Sequence, residues 1–441
     1  MTQLPPQLHY LHHDQLSTLC LENVSIKQLA TQVDTPFYCY SKAGLVNNIS
    51  ACKAAFEPEN IHIHYAMKAN SNLSLLRIVA EQGLGVDIVS IGEMQRALNA
   101  GFNAQDIVFS GVGKTTSELT AALRAGVGQF NVESKEELSA LISVTSECQQ
   151  SVSALIRVNP EITVDTHKNI TTGAKGNKFG VSFNDVLPML AAAKQSPFLN
   201  INGLAMHIGS QIHSVAPYLD AIAKIRALLN RLEAQDYPLT HLDLGGGFGI
   251  QYRDNQALNK TDSTAAQHYL TFADFANAIK SALPDWQGRL SVEPGRSLVA
   301  DIGVMVSEIT YRKESQPTPF LVLDAAMNDL MRPALYQANH ALIPVQQPRS
   351  SLLTQYDIVG PVCESTDTFA KSVQLSSELT AGELMCFLDA GAYCAVMSNS
   401  YNSRTIIAEV LVDDNQAHVI REPITQTDLM AFEQHRRLAK I

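Results

Sequence analysis

Between about residues 60 and 296 the sequence alternates short apolar runs with helical patterns, and no other feature constrains the fold as strongly. Eight such runs can be read: Ile61–Ala69, Gly85–Ser90, Asp106–Gly111, Gln129–Ser134, Ala154–Asn159, Ile201–Gly209, Leu239–Gly247 and Arg289–Arg296. The stretches between them, such as Lys135–Val144 and Ala216–Ala234, place apolar residues three and four apart, as helices packing on the outside of a sheet do. Eight βα units predict a closed (β/α)8 barrel. After Asp301 the texture changes to the β-rich segments Val304–Tyr311, Phe320–Leu323, Glu383–Leu388 and Ile406–Leu411, which predict a second, all-β domain. One further strand-like run, Pro36–Tyr40, precedes the first barrel strand by a helix.

Charge and cysteine content narrow the partners. With 32 Lys and Arg against 43 Asp and Glu, the net charge of -11 argues against a general attraction to nucleic acid, so a small molecule or a protein is expected instead. Met1–Leu16 carries no Lys or Arg followed by an apolar stretch, so no signal peptide or anchor is readable, and no segment has the length of about 18 apolar residues that a spanning helix needs. Seven Cys without a CxxC pair predict reduced thiols in a cytoplasm. The pairs His12-His13 and His62/His64 lack carboxylate or thiol partners at ligand spacing, so no metal is expected.

Barrel chemistry sits where strands end. The runs end in Tyr65-Ala66-Met67-Lys68-Ala69-Asn70, in Met206-His207-Ile208-Gly209-Ser210, in Leu244-Gly245-Gly246-Gly247-Phe248-Gly249 and in Val292-Glu293-Pro294-Gly295-Arg296. Lys68 ends an apolar stretch, where desolvation would free an amine lone pair for a carbonyl; position alone equally allows a lysine that snorkels out of the rim. Backbone N–H groups of Gly245–Gly249 can face a phosphate, although a glycine cluster by itself also makes an ordinary tight turn. The cluster is no dinucleotide fingerprint, because Ile250 stands where the last glycine belongs, and Val108 likewise excludes a P-loop at Gly111–Thr115. Glu293 and Arg296 match a cofactor with a pyridine nitrogen and a phosphate, or else form a rim salt bridge. His207 can stack on a planar ligand or serve as a hydrogen-bonded structural residue.

Taken together and in this order, these motifs resemble the fold-type III pyridoxal 5′-phosphate decarboxylases over most of the chain. The carboxy-terminal segments Ala326–Tyr336 (containing Arg332-Pro333-Ala334-Leu335-Tyr336), Gly360–Ser365 (containing Cys363-Glu364) and Asp389–Tyr393 are similar to the diaminopimelate decarboxylase branch. The resemblance implies a barrel over 41–300 and a β domain of sandwich or Greek-key type formed by 1–40 with 301–441. It further implies that Lys68 forms a Schiff base with the cofactor, that His207 stacks on its ring, and that Ser210, Gly246 and Gly247 help hold its phosphate. Glu293 would pair with the pyridinium, Arg296 would lie between phosphate and substrate, and the Pro294-Gly295 turn and Asp87 belong to the same cofactor site. Arg332 and Tyr336 would bind the retained carboxylate, Glu364 the distal ammonium, and Tyr393 the phosphate or the substrate. Cys363 would donate a proton from the partner subunit of a homodimer. Ile91 and Cys394 depart from the family pattern, each replacing a glycine. The expected reaction is decarboxylation of meso-2,6-diaminopimelate to L-lysine. Carboxynorspermidine, arginine or ornithine as substrate, or a non-catalytic regulator, are the alternatives; a racemase is disfavoured by Glu293.

Overall fold

The computed structural model describes residues 4–13, 16–162, 176–255, 258 and 270–433; the expectations for the extreme termini lie outside them. The described residues form two compact units, one within Val46–Gln251 and Gln267–Leu298, the other within Met1–Leu45, Tyr252–Ala266 and Val299–Ile441.

In chain order, β1 (Leu8–His13), β2 (Leu16–Leu21) and β3 (Val24–Ser25) form a small antiparallel sheet and are followed by β4 (Phe37–Ser41). Eight parallel strands then close the predicted barrel: β5 (Ile61–Ala66), β6 (Gly85–Ile88), β7 (Ile107–Phe109), β8 (Gln129–Val132), β9 (Val152–Arg157), β10 (Leu199–Ala205), β11 (His241–Asp243) and β12 (Arg289–Val292), which pairs back to β5. Helices follow the strands because their sequences are amphipathic and well ended. Thr115 and Glu118 form a capping box at the start of Thr116–Ala125, and Gly126 closes its far end in the left-handed region.

The strands stop short of the apolar runs that predict them. Leu239–Gly247 yields only His241–Asp243, and Ile61–Ala69 breaks at Ala66 into a single 3₁₀ turn. The leftover residues leave the ladder and build the rim. Inside the barrel the layers are polar where such barrels usually hold branched aliphatics. Gln129 Nε2 donates to Asn131 Oδ1 at 3.0 Å and to Asp243 Oδ2 at 3.3 Å, Asn131 Nδ2 donates to Ser110 Oγ at 3.0 Å, and His241 bonds Ser291 at 3.1 Å.

The second unit is built on β13 (Gly303–Lys313), whose eleven residues serve three neighbours. It pairs antiparallel with β4, with β14 (Phe320–Leu323), and with β18 (Leu384–Phe387), which also pairs β15 (Leu342–Pro344). Beyond these lie β16 (Leu353–Val359) with β17 (Thr368–Ser376), and β19 (Ala408–Asp413) with β20 (Gln416–Arg421). The strand predicted at Pro36–Tyr40 joins this sheet as β4, running parallel to β19. Its core gathers Phe37, Cys39, Val304, Val306, Cys386, Leu388 and Val410. Strands β16, β17 and β20 escape sequence reading because they are partly or fully exposed and carry polar residues throughout.

Candidate active site

Every rim residue expected in the barrel lies at the end of a strand in this unit. Lys68 sits on the 3₁₀ turn after β5, and its Nζ lies 3.2 Å from Asp87 Oδ2 at the end of β6. The lysine is less desolvated than its apolar approach predicts: its side chain is 36% exposed, because the turn carries it off the strand. The amine is held by a charge, not by dryness. The ends of β5 and β12 are stitched by Ala66 N donating to Pro294 O at 3.0 Å, which brings Glu293 to the same rim. A Cβ on Gly295 would meet those of Ala66 and Ala69 at 3.0 and 3.1 Å, so the glycine lets the two strand ends close.

Glu293 is buried, and its carboxyl is pushed well above the ordinary range, first by burial and then by Asp243 and Asp87, with Lys68 and Arg157 opposing. Asp243 is raised as well, chiefly by burial. Asp87 Oδ1 is buried without a hydrogen-bond partner. Three buried carboxyls beside one amine make a site that favours an arriving cation such as a protonated pyridine.

Next to them the glycine loop turns through left-handed conformations at Gly245 (φ +66°) and Gly247 (φ +102°), and a Cβ on Gly247 would fall 2.3 Å from Gly209 O. Gly245 N donates to Asp243 Oδ1 at 3.0 Å, Gly246 N to His207 Nδ1 at 3.2 Å, and Tyr218 Oη to Gly246 O at 2.5 Å. His207 is thus a hydrogen-bonded support of the loop. Burial, then the charges of Lys68 and Arg157, hold its pKa well below the usual histidine range, so it is neutral. Arg296, itself buried, donates from Nη2 to Ser210 Oγ at 3.0 Å. An amine, buried acids, a side-chain-free loop and an Arg–Ser pair together fit pyridoxal phosphate.

The remaining expected residues belong to the β unit. Arg332 is buried, Tyr336 and Tyr393 are half-buried, and Tyr393 adopts φ +57°. Cys363 and Glu364 are exposed on one turn, with Cys363 N donating to Asn402 Oδ1 at 3.2 Å and Tyr401 Oη donating to Glu364 Oε1 at 2.6 Å. Of the two departures from the family pattern, Ile91 opens a helix capped by Ser90 and Cys394 is a buried thiol donating to Ala392 O. Among the described residues no cluster of His, Cys, Asp or Glu can hold a metal, and no helix is long and apolar enough to cross a membrane.

A family model described as pyridoxal-dependent decarboxylase, pyridoxal binding domain, matches residues 42–300. A diaminopimelate decarboxylase from Zymomonas mobilis is 40% identical over 421 residues, covering 95% of this chain and 97% of the relative. The chain belongs to the diaminopimelate decarboxylase family. Another member of that family, from Vibrio cholerae, is 38% identical over 97% of this chain and 99% of its own. Two solved diaminopimelate decarboxylases in complex with L-lysine share the fold. The Helicobacter pylori enzyme has a TM-score of 0.85 at 37% identity over 92% of this chain and 98% of its own. That of M. jannaschii scores 0.90 at 29% identity over 98% and 99%.

The fold of this decarboxylase family member also brings to the rim Asp243 and Arg157, which the strand-end motifs do not single out. Asp243 lies inside the run Leu239–Gly247 and reads as part of a strand; a charged residue two positions before the glycine cluster is the signal that marks it. Arg157, closing β9, bonds Glu133 at 2.8 Å, and Glu133 also accepts from Gly111 N at 3.0 Å and Gly180 N at 3.2 Å. An arginine after Leu155-Ile156 at a strand end was legible on the same grounds.

Proposed function

We propose that this chain, loaded with pyridoxal 5′-phosphate, decarboxylates meso-2,6-diaminopimelate to L-lysine and carbon dioxide. The observation that carries the reading is the gathering of Lys68, Asp87, Asp243 and Glu293 at one barrel rim in a chain of this family. The L-lysine held by two solved relatives is the product such a reaction leaves.

Bound pyridoxal phosphate supplies a cationic ring that accepts the electron pair left when carbon dioxide departs. Lys68 carries the group through Nζ, and Asp87 holds that amine in place. Glu293 keeps a proton at the ring nitrogen, a task suited to a buried carboxyl whose neighbours are acids. His207, neutral and tied to the glycine loop, offers a flat face. The N–H groups of Gly246 and Gly247, with Ser210 and Arg296, take the phosphate, and Pro294-Gly295 shapes the turn between Glu293 and Arg296. Choosing carbon dioxide loss over proton loss would be a matter of how the substrate is oriented at the site. Arg332 and Tyr336 orient it by gripping the retained carboxylate, Glu364 by gripping the distal ammonium, and Tyr393 by contacting phosphate or substrate.

The division of labour follows the chain: the barrel, 41–300, holds the cofactor, and the β domain, 1–40 with 301–441, selects the substrate. Cys363 protonates the carbon that lost its carboxylate, acting from the partner subunit of a homodimer. Its exposure supports delivery to a second copy. All seven cysteines are free thiols, which supports a reducing cytoplasm.

The test is release of carbon dioxide and L-lysine from meso-diaminopimelate by the purified holoenzyme, with ornithine, arginine and carboxynorspermidine in parallel. Lysine formed from diaminopimelate alone supports the reading. Activity on another amino acid only would reassign Arg332, Tyr336 and Glu364, and no activity on any would leave a regulator.

A further inference from the structure

Arg332 and His340 are both buried in the β unit. Arg332 Nη1 lies 2.7 Å from His340 Nε2, and His340 Nδ1 lies 2.8 Å from Leu388 O. A carbonyl only accepts and a guanidinium only donates, so Nδ1 must carry the hydrogen and Nε2 must present its lone pair. The two bonds therefore select one tautomer of a neutral imidazole. The ring of Tyr252 completes the cage, 4.2 Å from Arg332 Cζ and edge-on to His340 at 5.4 Å.

Of the acids near this cage in sequence, Asp329 accepts from Ala326 N at 2.9 Å and lies 3.8 Å from Arg404, and among the described residues no carboxylate pairs with Arg332. Asp389 follows Leu388. It is already committed to Arg253, whose backbone N donates to it at 2.8 Å and whose guanidinium pairs with it. Among the described residues, the groups holding Arg332 are thus neutral. A buried cation without a counter-charge is costly unless an anion arrives. A carboxylate at position 340 would orient Arg332 equally well but would neutralise it and compete with the ligand. A neutral acceptor orients without competing.

We infer that His340 is a positioning residue of the substrate site, locking the guanidinium of Arg332 so that its remaining N–H groups face an incoming carboxylate. This rests on the assignment of Arg332 to the retained carboxylate of the substrate. Glutamine at 340 keeps one donor and one acceptor, whereas phenylalanine keeps the ring shape and loses both.

The experiment is steady-state kinetics of the holoenzyme on meso-diaminopimelate for His340→Phe, His340→Gln, Arg332→Gln and the double variant His340→Phe/Arg332→Gln. A hydrogen bond to a charged group corresponds to about tenfold or more in affinity, so His340→Phe should raise KM about tenfold with kcat changed less than about threefold. His340→Gln should recover most of that loss. In the Arg332→Gln background, His340→Phe should add almost nothing, because there is no guanidinium left to hold. If Arg332→Gln leaves KM unchanged, the carboxylate assignment itself fails. If Arg332→Gln raises KM while His340→Phe does not, or the two losses multiply independently, His340 is structural only and the inference is overturned.

Discussion

Lys68 Nζ stands 3.2 Å from Asp87 Oδ2, a half-open amine against a carboxylate with no exposed side-chain surface. The pair holds the amine at the ends of β5 and β6 before any carbonyl compound reaches it. Lys68→Ala should therefore yield a folded protein without the visible absorbance of the covalently held cofactor and without measurable turnover. A Lys68→Ala variant as active as the parent would remove Lys68 from the chemistry.

Glu293→Gln keeps the shape of the side chain and removes its ability to hold a ring proton. Turnover should drop about a hundredfold or more, in line with loss of one well-placed electrostatic partner, while the cofactor stays bound. Comparing kcat with cofactor content checks this, and an unchanged kcat would contradict the role.

At Gly247, with φ +102°, a side chain would be strained by at least roughly 1–2 kcal/mol and would press on Gly209 O. Gly247→Ala should lower Tm and weaken cofactor binding together, read by thermal unfolding and by titration with pyridoxal phosphate. A variant that binds the cofactor as the parent does would mean the loop can be rebuilt without harm.

Cys363→Ser replaces an exposed thiol by a poorer proton donor at nearly the same volume. The cofactor spectrum should be retained and kcat should fall. Equal rate and product would withdraw Cys363 from catalysis.

Two histidines buried inside the barrel make stability depend on pH. His64 and His241 are each pushed down to about 3, first by burial and then by the Arg289 charge, so the folded state keeps them neutral while the unfolded chain protonates them near 6.5. Their contribution is full above pH 6.5 and is lost as pH falls toward 3, about 2 kcal/mol for each histidine at pH 5. Tm should fall between pH 7 and pH 5, and His64→Asn should flatten roughly half of that fall. Parallel curves for parent and variant would show that His64 does not titrate this way.

Much of the molecule was legible in the chain. The alternation of apolar runs with helical patterns announced the barrel because each βα unit writes its own local signal. Lys68, His207, Gly246, Gly247, Glu293 and Arg296 stood out because polar or side-chain-free residues at strand ends contradict the apolar run before them. The sheet of the second unit was only half legible, since β16, β17 and β20 present polar residues to solvent and carry no apolar run.

What the sequence determined by itself is therefore the barrel architecture and the identity of those rim groups that end its apolar runs, since these follow from local periodicity and from residue type at strand ends. Only the tertiary structure decided which groups act on one another. The Gln129–Asp243 bond joins residues 114 apart, and the neutral state of His340 follows from Arg332 on one side and Leu388 O on the other. Burial supplied the rest: the rise of Glu293 and the fall of His64 come first from loss of water, which depends on what the folded chain wraps around a residue and not on its neighbours in sequence.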